Sequence, residues 1–236
     1  MLWVQHNNWN ELESSTEIVK RTVPLTEGTI IRSDSSYKED CAKLHFMAGP
    51  ELYRYIYCNE NDKVLKIIEM YFEMPGTPCS KQYSYIDVAD GAVRGYMLGY
   101  PVREIGKMAR SIILGLGKLM KLCGFSNMMV IIFHALSIIN YFPKLDKNEY
   151  FLSNLAVYQE YRGQGVGTGL LEKAEKVAKA MGGLKKLSLY VEVDNPGAIR
   201  LYEKYGFIKV DEVILPQEFR EEHHFIGFNK MIKDIK

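Results

Sequence analysis

The chain has little cysteine, and its four residues, Cys41, Cys58, Cys79 and Cys123, follow no regular spacing. With no C-x-x-C pair, neighbouring cysteines build neither a zinc ribbon nor a dithiol redox site. Scattered thiols of this kind read as reduced side chains in a cytoplasmic protein. The five histidines give no H-E-x-x-H or other ligand spacing, so no metal is expected. An excess of one charge is missing too: 30 Lys and Arg face 29 Asp and Glu, for a net charge of +1. Bulk charge therefore makes no case for a nucleic-acid partner. Internal repeats and low-complexity tracts are absent. The first residues lack a basic region followed by an apolar run, and no secretory signal is expected. What is present is a globular composition, 47% hydrophobic and 25% charged over 236 residues, enough for one large or two small domains.

Hydrophobic spacing divides the chain. Residues 1–27 are polar apart from Trp3 and Trp9 and read as an N-terminal extension. Residues 29–32 read as a short strand. Ser36-x-x-Glu39 is a candidate capping box opening a helix whose inner face is Tyr37, Cys41, Leu44, His45 and Ala48. Residues 50–57 suggest one or two further helical turns, and residues 62–72 a helix. Asp90-Gly91 between residues 82–88 and 92–100 has the chemistry of a type I′ hairpin.

Residues 101–148 promise two helices, the second capped by Ser126 and ending near Tyr141. Residues 124–142 are long and apolar enough to raise the question of a membrane span. Ser126, Asn127, His134, Ser137 and Asn140 interrupt them, and a helical hairpin packed on the domain is expected in preference to membrane association. Such a hairpin would serve as a lid beside a binding pocket, as a homodimer surface, or as added core. Later, Leu187, Leu189, Val191 and Val193 alternate as a strand should. Asn195-Pro196 reads as a helix cap and first turn. Residues 207–213 and 225–232 read as the last strands, with residues 216–222 between them.

One stretch carries chemistry. A β-branched and apolar run through Leu155, Ala156 and Val157 leads to Arg162-Gly163-Gln164-Gly165-Val166-Gly167-Thr168. A helix follows, with Val166, Leu170, Leu171, Ala174, Val177, Ala178 and Met181 at helical spacing. A strand, a glycine turn and a helix start make an anion site, because the first helical N–H groups lack partners and the macrodipole adds positive charge. The three glycines let a phosphate approach the backbone. The pattern GxxxxGK[ST] is absent. GxGxxG fails as well, its third glycine falling on Thr168 or Leu170.

What does match is Arg162-x-x-Gly165-x-Gly167. With the preceding Asn-Leu-Ala-Val strand and the later Asn195 and Leu-Tyr202-Glu-Lys-Tyr-Gly-Phe207 block, the segment resembles the acetyl-CoA signature of the GNAT superfamily of N-acetyltransferases. The resemblance runs over roughly residues 28–233. It implies a single domain over residues 28–236 with an α/β fold: a mixed, mostly antiparallel central sheet flanked by helices. Residues 101–148 would be a helical insertion between the third and fourth strands, and are the chief departure from the family pattern.

The resemblance also implies roles. Acetyl-CoA would be the co-substrate, its pyrophosphate on the backbone of Gln164 to Thr168 with Arg162 adding charge. Leu155 and Val157 would offer backbone groups to its pantetheine arm along a freed strand edge, and Asn195 would contact that arm besides capping its helix. Tyr202 would protonate the departing thiolate, while Tyr205 packs. Where some relatives carry a glutamate base, this chain has Tyr190. Glu192, two residues on and on the same strand face, is the candidate base, with an ordered water or the backbone as alternatives. The expected activity is acetyl transfer to a primary amine, small-molecule or peptide, by direct attack in a ternary complex. The alternative is an acyl-CoA-binding regulatory module without turnover.

Overall fold

The computed structural model describes residues 27–57 and 61–235; most of the expected N-terminal extension lies outside them. Seven strands form one sheet in the order β1-β2-β3-β4-β5-β7-β6. They are β1 (Thr29–Arg32), β2 (Ser84–Ala89), β3 (Ala92–Pro101), β4 (Glu149–Val157), β5 (Lys186–Glu192), β6 (Ile208–Ile214) and β7 (Gly227–Asp234). All neighbours are antiparallel except β4 and β5. Asp90 (φ 51°) and Gly91 (φ 79°) turn the β2–β3 hairpin, as a type I′ pair requires.

Helices cover both faces. On one lie α6 (Val166–Met181) and α7 (Pro196–Tyr205). Leu170, Leu171 and Ala174 of α6 pack there on Leu187, Leu189 and Val191, the inward set of β5. Met181, at the end of the same stripe, is exposed because the helix runs past the sheet. The other face carries α1 (Lys38–Met47), α2 (Pro50–Tyr57) and α3 (Asn61–Glu73). There Cys41, Leu44 and Phe72 meet Ile86, Tyr96 and Leu98.

The start of α1 departs from the capping-box expectation. Asp34 accepts the Ser36 N–H at 2.8 Å and caps a 3-10 turn over Ser35–Tyr37. Ser36 therefore lies inside that turn, and the helix that follows starts after Tyr37 with no side-chain cap. Ala42 and Phe46 are buried besides Cys41, Leu44 and His45, while Tyr37 and Ala48 are half-buried. The helix is buried on two sides because α3 covers the side turned from the sheet.

Between β3 and β4 run α4 (Ile105–Cys123) and α5 (Phe125–Ile139). Gly124 (φ 81°) joins them, and Ser126 caps nothing: the helix starts one residue before it. Leu119, Met128 and Ile131 of the pair pack on Ile67, Tyr71 and Met74. Ile138 packs on Phe225 and Phe228. His134 stacks on Tyr55 of α2 at 4.5 Å. The stretch expected between the last strands contains a further helix, α8 (Gln217–His223).

The parallel pair β4–β5 is short. It runs from Glu149↔Lys186 to Leu152↔Leu189 and stops. On the other edge of β4, Leu98 pairs with Asn154 and Gly99 with Leu152, leaving Ser153 as an extra residue. Such a bulge bends its strand. Beyond it, β4 stays with β3 while β5 stays with β7, and the sheet opens between them.

The closed end of this junction holds a buried ion pair. Lys230 Nζ of β7 lies 3.0 Å from Glu149 Oε1 and donates to the Lys144 carbonyl at 2.6 Å. Both side chains are buried. Removing one partner would strand the other charge, so Lys230→Met is expected to destabilise the protein by about 3–5 kcal/mol. Pairing it with Glu149→Gln should recover much of the loss. Urea unfolding midpoints of the three proteins check this; equal midpoints for wild type and Lys230→Met would refute it.

Candidate active site

A cavity of about 910 Å³ lies where β4 and β5 part. Leu155 of β4, Glu192 of β5, and Asn195 and Tyr202 of α7 all line it. Its far walls come from α2 (Gly49, Tyr53), α4 (Met108, Ile112) and the turn at Phe142.

Alternation along β5 puts Leu187, Leu189 and Val191 on the α6 face and Tyr190 and Glu192 on the other. Glu192 therefore starts from the α1–α3 side of the sheet, whereas Tyr202 belongs to the cluster on the α6–α7 side. The divergence of β4 and β5 brings both to one cavity. A methyl group added to Gly49 would lie 3.7 Å from Glu192 Oε1, so the α2 end closes on the carboxylate. That oxygen is buried and has no hydrogen-bond partner among the described residues. Burial first, then the negative charges of Asp194 and Glu51, push its pKa up to about 7. A carboxyl in this state exchanges its proton near neutrality, as a general base must.

Tyr202 is 6% exposed, its ring edge-on to Phe207. Burial raises its pKa above the ordinary phenol value, so it stays a proton donor at neutral pH. Tyr205, one turn on, donates to Glu175 at 3.0 Å under Lys233 and anchors α7 to α6. Tyr190 donates to the Pro143 carbonyl and packs on Phe142, Phe151 and Phe228, a wall residue with its hydroxyl committed.

The glycine turn sits apart: residues 162–168 do not line the cavity. Gly165 (φ 84°) is the left-handed cap of α6, and Gly163 (φ 75°) precedes it. A Cβ at either would meet open space, so the backbone there can be approached closely. Gly167 differs. A Cβ there would lie 3.2 Å from Leu201, so this glycine lets α7 pack on α6. Val166 is a buried anchor of the helix, and Thr168 is exposed beside it. The Arg162 Nε–H donates to the Val157 carbonyl at 3.1 Å and Gln164 Nε2 to the Glu160 carbonyl at 2.8 Å, so both side chains brace the turn.

Leu155, Ala156 and Val157 pair with Met97, Tyr96 and Gly95 on one side and have no β5 partner on the other. The Leu155 and Val157 side chains pack on the α6–α7 cluster. The Asn195 side chain accepts the Ala198 N–H at 3.0 Å, as a cap should. A helix start with open glycines, next to an unpaired strand edge that leads into a cavity, fits a long ligand with an anionic end. The turn would hold that end and the edge its arm.

No site role is expected from the sequence for Tyr53, nor for Asn154 beyond its place in the Asn-Leu-Ala-Val strand. Asn154 Nδ2 donates to the Tyr53 hydroxyl at 2.8 Å, and its Oδ1 is buried with no partner among the described residues. Both line the cavity, joined across roughly a hundred residues of chain. Behind them His45, Nδ1 at 3.2 Å from the Tyr96 hydroxyl, is held neutral by burial, which pulls its pKa down to about 3.

Known proteins resemble this chain. The chain is 36% identical over 72 residues to the uncharacterized N-acetyltransferase YycN of Bacillus subtilis, covering 30% of this chain and 46% of that protein. It is 40% identical over 68 residues to an N-alpha-acetyltransferase of Sulfurisphaera tokodaii, covering 29% and 40%. The chain thus spans less than half the length of the curated relatives it matches. An N-acetyltransferase structure from Staphylococcus aureus shares the fold, with a TM-score of 0.63 and 19% identity over 87% of this chain and all of that one. The profile of the acetyltransferase (GNAT) family matches residues 54–207, well over half of the chain, and the chain belongs to that family.

Proposed function

We infer that the chain transfers an acetyl group from acetyl-CoA to a primary amine, of a small molecule or a peptide, with both substrates bound together. One observation carries this reading: Glu192 and Tyr202, from opposite faces of the sheet, line a single cavity beside the unpaired edge of β4. Acetyl-CoA supplies the activated acyl carbon. The turn at Gly163 to Thr168 offers helix-start N–H groups to its phosphates, and the edge at Leu155 to Val157 pairs with its arm. The Leu155 N–H polarises the thioester carbonyl.

The amine arrives on the Glu192 side. Glu192 takes its proton as nitrogen bonds to the acyl carbon, and Tyr202 gives a proton to sulfur as the C–S bond breaks. An amide and a thiol leave; passing the Glu192 proton back to Tyr202 through solvent restores the enzyme. No covalent enzyme intermediate is needed. Acetyl transfer by N-acetyltransferase relatives supports the reaction class, and a regulatory module would have no use for a carboxyl poised near neutrality.

A panel of amines and peptides assayed for CoA release tests the function; no release above background with any of them would overturn it. With an accepted amine, Tyr202→Phe should lower kcat at least about 100-fold, and an unchanged kcat would remove Tyr202 from the acid role.

Glu192→Gln bears on the base in two ways. The wild-type rate should rise with pH through about 7, and the variant should lose that limb. Stability changes in the opposite sense. The folded-state pKa of Glu192 lies above its ordinary value of 4.5, so the neutral carboxyl favours the fold at low pH and this contribution is lost as pH rises through about 7. Glu192→Gln should therefore gain thermal stability relative to wild type between pH 5 and pH 8 (about three units spanning that window). A constant difference in melting temperature would contradict the buried carboxyl.

A further inference from the structure

The outer surface of the α4–α5 hairpin is apolar. Leu114 is 81% exposed, Phe133 67%, Ile113 and Phe125 65%, and Leu136 61%. Along α5, Phe125, Met129, Phe133 and Leu136 recur at helical spacing as one stripe, set round the helix from the buried Met128, Ile131 and Ile138. On α4, Ile105, Ile113 and Met120 form a matching stripe beside the buried Met108 and Leu119. Exposed apolar surface of this extent marks a docking face.

Charge decides what docks. Residues 105–145 carry Lys107, Arg110, Lys118, Lys121 and Lys144 and not one Asp or Glu, in a chain whose net charge is only +1. Lys118 and Lys121 border a shallow groove with Lys38, Lys66, Glu69 and Glu73. Its two carboxylates are already paired, Glu69 with Lys38 at 3.5 Å and Glu73 with Lys81 at 2.6 Å. Lys107 is paired with Glu104 at 2.9 Å, whereas Arg110, Lys118, Lys121 and Lys144 pair with no carboxylate among the described residues and are left for an external anion.

We propose that the α4–α5 hairpin docks on an anionic lipid surface, its apolar stripes entering the headgroup layer and its lysines and arginine meeting lipid phosphates. No helix among the described residues is long and apolar enough to cross a membrane, so the contact is peripheral. A second copy is disfavoured, since a twofold contact would set these cations against themselves. A protein partner is disfavoured because lysine, four of the five cations, is depleted from protein interfaces. Ile105 and Ile139 belong both to the exposed face and to the lining of the cavity. Docking by this face brings that edge of the cavity to the lipid surface.

Sedimentation of the full chain with vesicles tests this, using phosphatidylcholine alone and phosphatidylcholine mixed with phosphatidylglycerol. At low salt the bound fraction should be at least about tenfold higher on the anionic vesicles and should fall as salt screens the contact. Phe133→Asp with Leu136→Asp should abolish binding, and Arg110→Gln with Lys118→Gln should weaken it severalfold. These residues are exposed and outside the cavity, so thermal midpoints and CoA release should stay at wild-type values. Failure to bind anionic vesicles, equal binding to neutral ones, or full binding by Phe133→Asp/Leu136→Asp would overturn the proposal. So would a dimer that the same pair of substitutions splits in solution. Vesicle binding depends on neither the acceptor nor turnover.

Discussion

The site depends on the parallel contact between β4 and β5, which lasts four residue pairs and then ends at Leu152 and Leu189. Had it continued, the backbone of Leu155 to Val157 would be paired on both sides, and the sheet would separate Glu192 from Tyr202. The bulge at Ser153 bends β4 toward β3, and β5 follows β7. At the closed end the Glu149–Lys230 pair ties β4 to β7 across β5. A sheet held at one end and split at the other yields a cavity reached from both faces, and that geometry permits acid and base to approach one acyl carbon from different sides.

Desolvation then sets the chemistry. Glu192 and Tyr202 are moved by the same physical cause, and its consequences differ with the group. A carboxyl pushed up to about 7 becomes a base that works near neutrality, while a phenol pushed higher remains an acid. The walls responsible belong mostly to elements remote in sequence. The α2 end closes on the carboxylate through Gly49 and Tyr53, and the hairpin contributes Met108 and Ile112. Elements that carry neither group thereby tune both. The hairpin adds a second property: its outer face bears the exposed apolar stripes, and its Arg110, Lys118 and Lys121 pair with no carboxylate among the described residues.

Much of the fold was legible in the residues. The Asp90-Gly91 turn, the alternation of β5, the Asn195 cap and the α6 stripe each rest on a local rule with a period or a fixed offset, and local rules survive folding. Where two local signals lay side by side, the neighbour prevailed: Asp34 capped a 3-10 turn that takes in Ser36, and Gly124 opened the helix assigned to Ser126. The two-sided burial of α1 was hidden because no periodicity announces a second helix packed across the first. At the site, the positions of Glu192, Asn195 and Tyr202 could be named, since they lie on elements with clear patterns. Tyr53 and Asn154 could not, because their meeting depends on how α1 and α2 settle over the strands.

By itself the sequence determined the glycine turn, the order of strand and helix around it, and which side chains are of a type that can exchange protons. These follow from backbone stereochemistry and side-chain type, which are properties of a few neighbouring residues. Tertiary structure decided that Gly167 serves helix packing while Gly163 and Gly165 stand open, and that Arg162 braces the turn. It also decided that Glu192 shares a cavity with Tyr202 and that the hairpin keeps an apolar face outward. Each of these outcomes depends on which surfaces exclude water from one another, and that is settled between segments far apart in the chain.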